Sequence, residues 1–135
     1  MVTLDQIIAV SNHATLYKAI ASKGNGLILE DLSTGKNSFF SGRLHQFSPL
    51  DSMGLYTMGG TMPLREVYEL FLSREAEHEV PKDNAAEADL RTFFENAVPD
   101  YDPYRVHARD MKKCVRWYHQ LKSFELIRRD DHVQQ

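Results

Sequence analysis

The chain has 135 residues, 42% apolar and 26% charged, with a formal net charge of −3. A chain of this kind suits one ordinary domain or two very small ones, is too apolar for disorder, and has no global attraction for nucleic acid or anionic membrane. No window approaches the roughly 18 consecutive apolar residues of a membrane span, and a single cysteine cannot form an internal disulfide and suits a reducing compartment, so the expected location is the cytoplasm.

"MVTLDQIIAVSNH" has no basic stretch and carries Asp5, which argues against a secretory leader. Within it, "TLDQIIAV" predicts a short helix, with Thr3 and Gln6 at capping-box spacing. Short runs rich in Leu, Ile, Phe and Tyr follow at Leu16–Ala21, Gly26–Asp31, Ser38–Phe40, Arg43–Phe47 and Gly54–Thr57. "SKGN", "STGK" and "SG" separate several of them and suit tight turns, so the runs predict five strands. Five short strands are too few for a sandwich and enough for a small SH3-like β-barrel. "SPLDSM" predicts a single helical turn before the fifth strand.

"TMPLREVYELFL" switches to a helical period, with Leu64, Val67, Tyr68 and Phe71 on one face and Pro63 in the first turn. This helix is expected to cover one opening of the barrel. "SREAEHEVPKD" is nearly devoid of apolar residues and reads as a frayed helix end and acidic linker over 73–83. A second helix, capped by Asp83 or Asn84, carries the stripe Leu90, Phe93, Phe94, Ala97 and Val98. "PDYDPYRVHA" reads as an extended connection, and a last helix covers about Arg109–Ser123. The expected class is α+β: a barrel with an N-terminal and a covering helix (1–72), the linker (73–83), a helical unit (84–129) and a flexible tail (130–135).

Charge is unevenly placed. Residues 73–102 hold nine acids against three bases, and residues 104–129 hold eight bases against Asp110 and Glu125. The two blocks are expected to neutralise one another in part. On the last helix Arg109, Lys112, Lys113 and Arg116 fall together with Gln120 and Ser123, opposite Met111, Cys114, Val115, Tyr118 and Leu121. Cys114 therefore reads as a buried, inert thiol. The cationic face, with Arg128 and Arg129 beyond it, is a candidate phosphate-binding surface.

Other motifs do not assemble chemistry. "STGK" lacks the earlier glycine of a phosphate loop, because position 30 is Glu. The six histidines (His13, His45, His78, His107, His119, His132) show no metal-ligand spacing, so no metal or cofactor is expected. Glu30 and Asp31 are neighbours on a strand and point to opposite faces, which prevents shared acid–base work. No catalytic residue is assigned, and the chain is expected not to be an enzyme.

"LYKAIASKGNGLILEDLSTGK", "LDSMGLYT" and "MPLREVYELF", with "LRTFFENAVPDYDPYRVHARDMKKCVRWYHQL", resemble a family of small uncharacterised Bacteroidetes proteins designated only as domains of unknown function. The family's usual pattern runs "GLYKLV…NGIIVESLDTGKR…LEDISIYT…VPLKEVF", and the resemblance spans most of residues 4–121. The chain departs from it at "SNHAT" and "SFFSGRLHQF". The resemblance implies a bacterial cytosolic two-part protein and nothing catalytic. Residues and resemblance together point to a non-catalytic interaction or adaptor protein that binds an unidentified protein partner, with Tyr17, Phe39, Phe40 and Tyr56 as candidate groove aromatics. The alternative is an RNA- or DNA-binding protein that uses the 109–129 helix. Oligomeric state and pathway are not written in the sequence.

Overall fold

The computed structural model describes residues 1–128. Five antiparallel strands, β1 (Ile7–Val10), β2 (Tyr17–Lys23), β3 (Gly26–Asp31), β4 (Asn37–Ser41) and β5 (Phe47–Pro49), form one sheet in the order β4-β3-β2-β1-β5. The β2–β3 connection is the two-residue turn Gly24–Asn25, where Gly24 takes φ +58. The β3–β4 turn is held by Asp31, whose carboxylate accepts from the Ser33 N–H at 2.8 Å and the Ser33 hydroxyl at 2.6 Å. Register slips between Ala19 and Ala21, which places a bulge in β2 at Ile20.

One face of this sheet carries a core of Ile8, Val10, Tyr17, Leu29 and Phe40, with Ala19, Leu27 and Phe47 packed against it. Residues 7–10 form a strand rather than the expected N-terminal helix. Their side chains are all buried and the strand is paired on both edges, so the run is continuously apolar instead of alternating. Gln6 takes φ +65, which no helix tolerates, and the Thr3 N–H donates to the Leu126 carbonyl at 2.8 Å.

The single helical turn expected in "SPLDSM" is present at Leu50–Ser52. The closed barrel is not. Among the described residues no ladder joins the edge strands β4 and β5, and the sheet stays open. β5 is only three residues long and ends at Pro49, which has no N–H to extend a ladder. The run expected as the fifth barrel strand, Gly54–Thr57, is instead β6, paired in a separate hairpin with β7 (Gly60–Pro63). Arg43–Phe47, expected as the fourth, is mostly the turn that leads into β5.

Three helices follow: α1 (Leu64–Arg74), α2 (Glu87–Ala97) and α3 (Ala108–Ser123). Pro63 stands one residue before α1, where its missing donor is harmless. α2 starts after Ala86 without a side-chain cap, so neither Asp83 nor Asn84 caps it, while Glu87 and Asp89 in its first turn suit the helix dipole. α3 opens with a capping box: the His107 N–H donates to the Asp110 carboxylate at 2.9 Å.

The chain divides into two compact units, Leu4–Met53 and Met1–Thr3 with Gly54 onward. The expected division at 73–83 is thus displaced to Met53/Gly54. α1 belongs with α2, α3 and the β6–β7 hairpin, because its buried face, Leu64, Val67, Tyr68, Phe71 and Leu72, packs in an aromatic core shared by the three helices. The expected tail, 130–135, lies outside the described residues.

Candidate functional site

The four candidate groove aromatics do not form one groove. Tyr17 and Phe40 are buried in the sheet core, edge-on to each other at 5.0 Å. Phe39 precedes Phe40 in an extended strand and so faces the other way, 48% exposed. Tyr56 belongs to the other unit, on β6. Alternation along β4 is the physical reason that adjacent aromatics could not both line a groove.

Tyr56 has a structural setting of its own. The 100–102 segment lies against β6: the Met58 N–H donates to the Asp100 carbonyl at 2.8 Å, the Asp102 N–H donates to the Tyr56 carbonyl at 3.0 Å, and Thr57 bridges Tyr101. Asp102 is buried and accepts from the Tyr104 N–H at 2.9 Å, which fixes the following turn. That turn sets the Arg105 guanidinium 3.9 Å above the centre of the Tyr56 ring. Tyr56, Met58 and Tyr104 all project into solvent from this braced backbone. The sequence pointed to Tyr56 alone. Met58 lies two residues along the chain and was not among the candidates, and Tyr104 gave no signal, because only the pairing of 100–102 with β6 carries its turn to this hairpin.

The face of α3 that carries Met111, Cys114, Val115, Tyr118 and Leu121 is buried as expected, and Trp117 is buried with it. Burial pushes the Cys114 thiol up to about 12, so no thiolate forms near neutral pH. The Cys114 carbonyl accepts from the fully buried Tyr68 hydroxyl at 2.7 Å. In the native protein Cys114 should react slowly with a thiol reagent and quickly in denaturant, and Cys114→Ser should cost about 1–3 kcal/mol by burying a hydroxyl. Fast native labelling would contradict the assignment.

The cationic face is partly engaged by acids. Arg116 Nε donates to Asp83 at 2.9 Å, and that hydrogen bond holds the Asp83 carboxyl below its ordinary value. Lys122 Nζ pairs with Glu75 at 2.7 Å, and the second oxygen of Glu75 accepts from the Tyr118 hydroxyl at 2.6 Å. His119 Nε2 donates to the Pro81 carbonyl at 2.9 Å. The segment 73–83 is therefore fastened along α3 at three points, with Val80 buried, and is not a free linker. Arg109 and Lys113 remain exposed and Lys112 half-buried, with Lys113 standing 5.8 Å from the Trp117 ring centre. Arg128 lies against the N-terminus, its carbonyl accepting from the terminal amine, and Arg129 falls outside the described residues.

An open cleft of about 420 Å³ beside α3 is lined by Lys82, Asp83, Arg116, His119, Gln120 and Ser123. Two of its cationic or basic side chains, Arg116 and His119, are spent on Asp83 and Pro81. Among the described residues no group of three or more His, Cys, Asp or Glu is placed to hold a metal ion. No described helix is long and apolar enough to cross a membrane.

A feature that sequence spacing concealed lies at one end of the five-stranded sheet, where His13 and His45 stand with ring centres 5.5 Å apart. They come from different turns and share no motif. Pairing of Val10 with Phe47 brings the two turns together.

These features define a mixed α+β protein with an open five-stranded sheet, a two-stranded hairpin and three helices. The chain belongs to the family described as Domain of unknown function (DUF6852), whose model matches residues 53–121. A solution NMR structure from Bacteroides vulgatus, a structural-genomics target, is similar with a TM-score of 0.75 and 28% identity, over 93% of this chain and 90% of that one. No curated protein matches the chain.

Proposed function

We propose that this protein is a non-catalytic interaction module that binds a protein partner through the face built on the β6–β7 hairpin. The observation that carries this reading is the group Tyr56, Met58 and Tyr104, 45%, 65% and 82% exposed, on backbone already braced by hydrogen bonds. Aromatic residues, Met and Arg are the types enriched at protein interfaces, and a fixed backbone lowers the ordering cost of binding. The occupant that fits is an apolar protein surface. One face of the Tyr56 ring is covered by Arg105, which leaves less of it for a nucleobase to stack on.

The nucleic-acid alternative has less support, because Asp83 neutralises Arg116 within the row of cations. At physiological salt the protein is expected to bind neither duplex DNA nor single-stranded RNA measurably. Sub-micromolar, salt-sensitive binding, abolished when Lys112, Lys113 and Arg116 are changed together to Gln, would overturn the protein-partner reading. That triple variant should unfold within about 0.5–1 kcal/mol of the parent, since the Arg116–Asp83 pair is solvent-screened and contributes little.

Three finer readings accompany this one. The 4–53 unit is read as an opened SH3-like sheet, on the strength of its strand order, its bulged second strand and the helical turn at Leu50–Ser52. A Bacteroidetes origin is read from the similarity to the Bacteroides vulgatus structure. A cytoplasmic location is read from the single cysteine, a buried free thiol.

A further inference from the structure

His13, exposed, and His45, half-buried, are each held through both backbone and ring. The turn after β1 and the turn before β5 are zipped together: the Ser11 N–H donates to the Gln46 carbonyl at 3.0 Å, and the Gln46 N–H donates to the Ser11 hydroxyl at 2.9 Å. Each histidine is fastened by its own backbone, His13 N–H to the Val10 carbonyl and His45 N–H to the Ser41 carbonyl, both at 3.1 Å. Each ring is fastened too. His13 Nδ1 lies 3.0 Å from the Ser11 carbonyl and His45 Nδ1 lies 3.2 Å from the Ser41 carbonyl. A carbonyl can only accept, so both Nδ1 atoms carry the proton. In the neutral imidazole this leaves the lone pair on Nε2 of each ring.

Both rings also lean edge-on against Phe40, at 5.5 and 5.2 Å, which fixes their tilt. This combination is the arrangement that prepares a histidine for a metal: the distal nitrogen tied to a carbonyl, the tautomer set, and the ring orientation locked. The separation fits as well. Two imidazoles bound through nitrogen at about 2.0–2.1 Å, at a tetrahedral angle, hold their ring centres roughly 5.2 Å apart. Here the value is 5.5 Å.

We propose that His13 and His45 form a two-imidazole site for a borderline divalent transition-metal ion, of the Zn2+ and Cu2+ class. Among the described residues no third His, Cys, Asp or Glu joins them, so water completes the coordination and the ion is exchangeable rather than a structural element. Imidazole nitrogen selects against Mg2+ and Ca2+, which prefer oxygen, and Cu2+ should bind more tightly than Zn2+.

The test uses the full chain with Zn2+ alone, followed by calorimetry and by proton–nitrogen correlation spectra of the histidine rings. One Zn2+ should bind per chain, moving the Nε2 signals of His13 and His45 while their Nδ1 atoms stay protonated. His13→Asn and His45→Asn retain an amide that can donate to the same carbonyls but have no Nε2. Each should weaken Zn2+ binding at least about tenfold, and the pair together should abolish it. Mg2+ should move neither histidine. Zn2+ that moves His78, His107 or His119 instead, or that binds the double variant as tightly as the parent, would overturn the proposal. Should the variants fail to fold, the spectra of the parent decide, since the site stands or falls on which rings move.

Discussion

Phe71→Ala is expected to destabilise the protein by about 3–5 kcal/mol, the range for removing a large ring from a packed core. Phe71 has no exposed surface. Its ring centre lies 4.9 Å from Phe93 and 5.4 Å from Phe94, both edge-on, and 5.5 Å from Tyr118 and 5.7 Å from Tyr68. Those four rings come from all three helices, so truncation opens a cavity that no single side chain can collapse to fill. A denaturant titration measures the loss as a shift of midpoint at unchanged slope. A loss below about 1 kcal/mol would mean that the aromatic junction does not hold α1, α2 and α3 together.

Leu29→Ala should cost about 2–5 kcal/mol. Leu29 is fully buried on β3, in the cluster with Ile8, Val10, Tyr17 and Phe40 from three neighbouring strands. The sheet is open and its edge strands are short, so no closing ladder compensates for a void in this cluster. Amide hydrogen exchange in β2, β3 and β4 should quicken in the variant. Unchanged exchange in those strands would contradict the assignment of Leu29 as the centre of the core.

Local signals were legible wherever a periodic run met a clear turn. Gly26–Asp31 coincides with β3, because Gly24–Asn25 before it and the Asp31 turn after it stop the strand at both ends. The apolar faces of α1 and α3 follow the 3.6-residue period and are buried as that period requires. Ile7–Val10 misled for a definite reason. A strand buried on both faces and paired on both edges shows no alternation, and by pattern alone it cannot be told from a short helix.

The remaining differences are non-local. Nothing near Gly54–Thr57 says that its partner is Gly60–Pro63 rather than the main sheet. The polar stretch 73–83 reads as a linker, yet its acids and carbonyls are the groups that Tyr118, His119, Lys122 and Arg116 of α3 use. The charge blocks did foretell mutual neutralisation, and two pairs, Arg116–Asp83 and Lys122–Glu75, embody it. For the candidate site, the adjacent Phe39 and Phe40 already carried the warning that only one could face any groove. The approach of the 104–105 turn to Tyr56 and the histidine pair depend on chain crossings that no spacing rule reports.

The central claim, a protein partner held by the hairpin face, is tested most directly by affinity capture from native lysate, with and without nuclease. The bait is the parent chain or its Tyr56→Ala, Met58→Ala, Tyr104→Ala triple variant. Met58 and Tyr104 are largely exposed and Tyr56 is half-exposed beneath Arg105, so the variant should lose no more than about 1–2 kcal/mol in all. The account predicts a defined protein partner that survives nuclease with the parent and is lost with the variant. Capture that nuclease abolishes, or that the variant retains undiminished, would contradict it.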